Sequence, residues 1–128
     1  MDLKKILVVD DQDAICQIFQ LAFTSRGYEV HTADSGEAAL EILARDPIHL
    51  IFLDINLPGM NGLDLCRTIR KNIPMANIFA LTGYGSLFQL SHCREAGFDD
   101  YFKKPARITD LVTAAQDGLN RLKRWQRL

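Results

Sequence analysis

Three times along the chain, four apolar residues run without interruption and stop at a polar side chain. Ile6-Leu7-Val8-Val9 ends in Asp10-Asp11, Leu50-Ile51-Phe52-Leu53 ends in Asp54, and Ile78-Phe79-Ala80-Leu81 ends in Thr82. A run of this kind has no polar face, so as a strand it must be covered on both sides. Sheets covered on both sides are the parallel sheets of α/β proteins, whose strands are joined by helices. The polar residue closing each run then stands at a strand's carboxyl end, the edge where open α/β sheets bind ligands.

The segments between the runs carry helical spacing. From Asp13 to Arg26 the apolar residues Ile15, Ile18, Phe19, Ala22 and Phe23 recur on one face, with Asp13 as the expected N-cap and Gly27 as the stop. Glu29 to Ala33 reads as a short strand, and Ser35 caps a helix striped by Ala39, Ile42 and Leu43 that Asp46-Pro47 ends. After Asp54, Pro58-Gly59 and Asn61-Gly62 are turn signals, and a third helix runs through Leu63, Cys66 and Ile69 until Pro74. A fourth helix is expected from Leu87 to Ala96, closed by Gly97, then a strand Asp100-Tyr101-Phe102-Lys103. The last helix is striped by Ile108, Leu111, Val112, Ala115, Leu119 and Leu122. Five strands alternating with five helices predict right-handed crossovers and a doubly wound, flavodoxin-like α/β fold with a five-stranded parallel sheet in the order 2-1-3-4-5. In that order strands 1 and 3 flank the switch point, so Asp10, Asp11 and Asp54 meet in one crevice.

Length and composition narrow the function classes. The 128 residues are expected to form one domain, residues 1–128. A formal net charge of −1 gives no overall bias toward a polyanion, and direct nucleic-acid binding is not expected. Met1-Asp2-Leu3-Lys4-Lys5 leads straight into the first strand without the apolar segment of a signal peptide, and no apolar run is long enough to span a bilayer. A cytoplasmic protein with no membrane span is the expectation. Cys16, Cys66 and Cys93 are odd in number and far apart among apolar neighbours, so they read as small buried hydrophobes. His31, His49 and His92 are scattered and suggest no metal cluster.

Three carboxylates in one crevice require a counter-charge, since two like charges about 4 Å apart repel by roughly 4 kcal/mol at an effective dielectric near 20. Lys104, arriving just before Pro105, supplies one positive charge, and a Mg²⁺ ion would neutralise the remainder with the oxygen ligands it prefers. A metal-bound carboxylate beside a lysine and the Thr82 hydroxyl outlines a phosphoryl-transfer site, with Asp54 as the nucleophile. The backbone carbonyl of Asn56, two residues on, is a candidate fourth metal ligand.

At this point the chain resembles the receiver domain of bacterial two-component response regulators, over nearly all of its length. The resemblance rests on Val8-Val9-Asp10-Asp11, on Leu53-Asp54-Ile55-Asn56-Leu57-Pro58-Gly59-Met60-Asn61-Gly62, on Ala80-Leu81-Thr82-Gly83 and on Tyr101-Phe102-Lys103-Lys104-Pro105. It implies that Asp54 accepts a phosphoryl group from a histidine kinase or phosphotransfer protein. It implies that Asp10, Asp11, Asp54 and the Asn56 carbonyl hold Mg²⁺, and that Thr82 and Lys104 contact the phosphoryl oxygens. It further implies a cis peptide at Pro105 and a switch in which Thr82 and Tyr101 respond to the phosphate. The surface of the fourth helix, fifth strand and fifth helix would then engage a downstream protein or output domain, with a homodimer through that face as another candidate.

Two departures stand out. Ala106 follows Lys104-Pro105 where a bulkier apolar residue is common, and Tyr84 follows Gly83, where it is expected to control water access and so the lifetime of the aspartyl phosphate. Asp99-Asp100 reads as a solvated turn, and Lys103 is expected to face outward. Arg121, Lys123, Arg124 and Arg127 surround Trp125, a pattern accounted for by the dipole at a helix C-terminus, by an acidic partner or by the start of a linker to an output domain. The expectation is therefore a phosphorylation-controlled binding module and not a turnover enzyme. A pseudo-receiver that is never phosphorylated is the first alternative. An aspartate-nucleophile phosphatase of the haloacid dehalogenase type is the second, disfavoured because Asn56 stands where its second aspartate is needed.

Overall fold

The computed structural model describes residues 2–83 and 87–127, apart from the side chains of residues 87 and 88; the reading on Tyr84 falls outside the described residues. The element order is β1 (Lys5–Val9), α1 (Asp13–Thr24), β2 (Glu29–Ala33), α2 (Gly36–Arg45), β3 (Leu50–Asp54), α3 (Gly62–Asn72), β4 (Asn77–Thr82), α4 (Leu87–Ala96), β5 (Asp100–Lys103) and α5 (Ile108–Gln126). All pairings are parallel and the sheet order is β2-β1-β3-β4-β5, as expected.

The uninterrupted apolar runs are explained by burial on both faces. Side chains alternate along each strand, so Ile6, Val8, Leu50, Phe52, Phe79 and Leu81 meet α1 and α5, while Leu7, Val9, Ile51, Leu53, Ile78 and Ala80 meet α2, α3 and α4. The α1/α5 side is aromatic. Phe52 sits 5.0 Å from Phe19, 4.8 Å from Phe79 and 5.8 Å from Phe23, ring centre to ring centre. The other side is mainly aliphatic, apart from Phe98 and the half-buried Tyr101, and includes Cys66 and Cys93, both buried as expected; burial pushes the Cys66 thiol up to about 12, which keeps it an unreactive apolar group.

Helix ends follow local chemistry with one correction. Ser35 and Asn61 cap α2 and α3 by accepting from the amides of Ala38 and Asp64. At α1 the N-cap is Gln12, without a side-chain cap bond, and Asp13 is the first helical residue. Asp13 there still favours the positive end of the helix dipole. Gly27 and Gly97 follow α1 and α4 with φ of 86° and 108°, a conformation that costs glycine nothing. Two residues assigned to apolar stripes are not in the core: Ile18 is 45% exposed and Ile108 39%. Gly118 lets α5 lie close to the sheet, since a Cβ there would come within 2.9 Å of Leu50 and 3.2 Å of Asn77. Arg121, one turn on, donates to the buried Asn77 side chain from Nε and Nη2, so this member of the basic group is a structural tie to β4.

Candidate functional site

The carboxyl ends of β1, β3, β4 and β5 deliver the expected side chains to one place. Asp10 and Asp54 are 1% and 5% exposed, Thr82 is equally buried, and Asp11 stands in solvent beside them. Oxygen atoms of Asp10, Asp11 and Asp54 all lie within 4.8 Å of one another. Lys104 reaches in from beyond β5, with Nζ 2.8 Å from Asp10 Oδ2 and 3.3 Å from Asp54 Oδ2.

Each buried carboxylate is held on Oδ1 by a backbone amide and turns Oδ2 toward the Lys104 ammonium, which donates to Asp54 Oδ2. Asp10 Oδ1 accepts the Gln12 amide at 2.9 Å, and Asp54 Oδ1 accepts the Asn56 amide at 2.9 Å. Asp10 Oδ2 has the Lys104 ammonium close by but no well-angled hydrogen bond. Burial raises the Asp10 pKa, the charge of Asp54 adds to the rise, and Lys104 and the Gln12 amide only partly offset it. Burial works against the charged form of Lys104, but the carboxylates of Asp10 and Asp54 beside it outweigh that and leave its pKa raised. Three acids facing one lysine leave an uncompensated charge of −2, carried entirely by oxygen. That donor set fits a hard divalent cation such as Mg²⁺ and offers neither nitrogen nor sulfur to a softer metal.

The loop after β3 is fixed at both ends. Ile55 donates its amide to the Leu81 carbonyl and accepts from the amide of Gly62, closing residues 55–62 over the β3 end. Gly62 is required by close approach, since a Cβ there would collide with the Ile55 backbone and lie 2.6 Å from the Asp54 carbonyl oxygen. Beyond β5, the Lys104–Pro105 peptide is cis, and the Lys104 amide donates to the Thr82 carbonyl at 2.7 Å. Lys103 faces outward as predicted, and Tyr101 is half-buried in a groove of 570 Å³ with Leu90, Cys93, Arg94 and Phe98.

Other expectations are extended. Asp99 lies in an exposed bend as predicted, but it is also a structural tie: its Oδ2 pairs with Arg70 Nη2 at 2.8 Å and accepts the Ile78 amide at 2.7 Å. Gln12 was not singled out by its sequence position, yet its Oε1 lies 3.4 Å from Lys104 Nζ and its amide holds Asp10. His31 is drawn together with Glu29 and Asp46 at the far edge of β2, where Lys5 Nζ already sits 3.0 and 3.1 Å from the two Asp46 oxygens.

The sequence profile of the response regulator receiver domain matches residues 6–116. The chain belongs to the response regulator receiver domain family. As a receiver domain it is similar to the CheY-like response regulator receiver domain protein of Methanospirillum hungatei JF-1, at 32% identity and a TM-score of 0.90, over 96% of this chain and 98% of that one. It is also similar to a response regulator protein from Burkholderia pseudomallei solved with a phosphorylated aspartic acid, a calcium ion and citrate, at 27% identity and a TM-score of 0.82, over 95% of this chain and 72% of that one. NtrX from Brucella abortus, solved in complex with ADP, matches at 31% identity and a TM-score of 0.86, over 94% of this chain but only 28% of that one. A receiver domain of two-component signalling with an acidic pocket is thus established, and among the described residues no helix is long and apolar enough to cross a membrane.

Proposed function

We propose that this receiver domain accepts a phosphoryl group on Asp54 from the phosphohistidine of a kinase or phosphotransfer protein. The observation that carries the reading is a buried carboxylate, Asp54, sharing a lysine with a second buried carboxylate beside a third acid. Asp10, Asp11, Asp54 and the Asn56 carbonyl would hold Mg²⁺, which when bound supplies the positive charge that three phosphoryl oxygens demand. An Asp54 carboxylate oxygen attacks phosphorus, the phosphorus–nitrogen bond breaks, and its electron pair returns to the imidazole. The Asn56 amide and Lys104 fix the orientation of the Asp54 carboxylate before the attack. Lys104 and the Thr82 hydroxyl then contact the transferred oxygens.

The transfer is stoichiometric, and the domain acts as a switch and not as a turnover enzyme. Thr82 and Tyr101 lie on neighbouring strands, with Thr82 level with Lys103 in the β4–β5 register and Tyr101 two residues earlier on β5. A dianion on Asp54 that draws Thr82 toward it changes the space behind Thr82, and Tyr101 is the side chain placed to respond. The α4–β5–α5 surface would carry that response to a downstream protein or output domain. Intact-protein mass after incubation with a small acyl phosphate tests the reading. One phosphoryl adduct is expected in the wild type with Mg²⁺, and none without Mg²⁺ or in Asp54→Ala. A folded wild type that acquires no adduct with Mg²⁺ present would favour the unphosphorylated pseudo-receiver.

A further inference from the structure

The outer face of α1 carries no charge. From Ala14 to Ser25 there is no acidic, basic or histidine residue, and the flanking charges are Asp13 at one end and Arg26 at the other. Phe19, Ala22 and Phe23 face the core, while Leu21 is 77% and Ile18 45% exposed on the outer side. Ala14 and Ser25, also exposed, continue that line, so Ala14, Ile18, Leu21 and Ser25 recur at steps of four, three and four. This is the seam spacing of helices that pair along their length. The Ser25 hydroxyl is already bonded to the Ala22 carbonyl, so it adds a small surface and no unmet polar group.

Charge and register decide what fits the stripe. An uncharged face gives a strongly acidic or basic partner nothing to pair with, but it meets a copy of itself without opposing like charges. When two such helices run antiparallel across a two-fold axis, the register that sets Ile18 against Leu21 also sets Ala14 against Ser25. The same register brings the acidic end of each helix, at Asp13, level with the basic end of the other, at Arg26, and it aligns the two helix dipoles favourably. We propose that α1 is a self-association face through which two copies of this chain pair in this antiparallel register. One helix of 12 residues from each copy falls short of the roughly 1,000 Å² that a stable interface needs, so the dimer is weak and depends on concentration. Ile15 and Ile18 also border a groove reaching Lys104 and Pro105, so a copy seated on α1 stands beside the mouth of the acidic pocket.

The test is sedimentation velocity of the full chain without a phosphodonor, from about 10 µM to about 1 mM. The wild type is expected to move from the monomer toward the dimer sedimentation coefficient across that range. Leu21→Glu, at an exposed position that leaves the core intact, should stay at the monomer value throughout. Asp100→Arg, at the start of β5 on the α4–β5–α5 side, should behave as the wild type. A monomer at every wild-type concentration, or self-association that survives Leu21→Glu or is lost in Asp100→Arg, would overturn the proposal. A monomeric wild type combined with slower phosphoryl acceptance from a phosphohistidine protein in Leu21→Glu would assign the stripe to the donor instead.

Discussion

The two edges of the sheet treat their polar groups in opposite ways. At the amino edge Arg70, Asp99, Lys5 and Arg121 each meet a partner. Arg70 donates to the carbonyls of Gly97, Pro74 and Ala76 and pairs with Asp99, which in turn receives the Ile78 amide. Lys5 meets Asp46, and Arg121 meets Asn77. At the carboxyl edge two buried acids share one lysine beside an exposed third acid, and an oxygen of Asp10 is left without a well-angled donor. Groups that complete one another hold a fold, whereas groups left incomplete are positioned for something that arrives later.

Substitutions at the two edges should therefore separate stability from chemistry. The largest effect is expected for Arg70→Ala, which strands three carbonyls, the Asp99 carboxylate and the junctions before β4 and β5. A loss of about 3 kcal/mol is expected, read as a lower denaturant midpoint. The fraction that binds Mg²⁺ at saturation should be unchanged wherever the variant is folded. Equal damage to metal binding and stability would dissolve the contrast between the edges.

Asp10→Asn should show the reverse. Removing one of the buried like charges is expected to raise stability by about 1 kcal/mol in the absence of divalent ions. The same substitution should abolish tight Mg²⁺ binding, so added Mg²⁺ stabilises the wild type and leaves the variant unmoved. Thermal melts of both proteins with and without Mg²⁺ provide the four values needed.

The smallest effect is a pH dependence. The Asp10 pKa is raised in the folded protein, so the folded state binds a proton more tightly than the unfolded chain does. Metal-free stability contributed by this group is therefore highest at acid pH and falls as pH rises through its folded value. Metal binding requires the proton to leave, so Mg²⁺ affinity should weaken on acidification before an ordinary aspartate would titrate. Calorimetric titration with Mg²⁺ from neutral pH downward, repeated on Asp11→Asn, isolates the buried group from the exposed one.

The sheet order and the pocket were legible because burial on both faces leaves an unmistakable mark, an apolar run with a polar stop. Asp10, Asp54 and Thr82 each close such a run, and Lys104 follows the fifth strand directly. What was not legible depends on partners distant in sequence. Asp99 looks like a turn residue until Arg70, 29 positions earlier, is folded against it. Gly62 looks like half of a turn signal, and only the approach of α3 to Ile55 shows that a methyl group has no room there. Gln12 carries no local signal at all, because its contact with Lys104 spans 92 positions. At the α1 N-terminus, the cap assigned to Asp13 was one residue late.

The close seating of α5 at Gly118 also has an optical consequence. Trp125, the single tryptophan of the chain, rides on the end of that helix, 59% exposed and grouped with Leu3, His49 and Met75 at the amino edge. The helix is held to β4 by the Arg121–Asn77 bonds, and its indole lies on the opposite edge from the acidic pocket. Intrinsic tryptophan emission is thus a reporter of whether the α5 end is in place, and it is blind to events on Asp54.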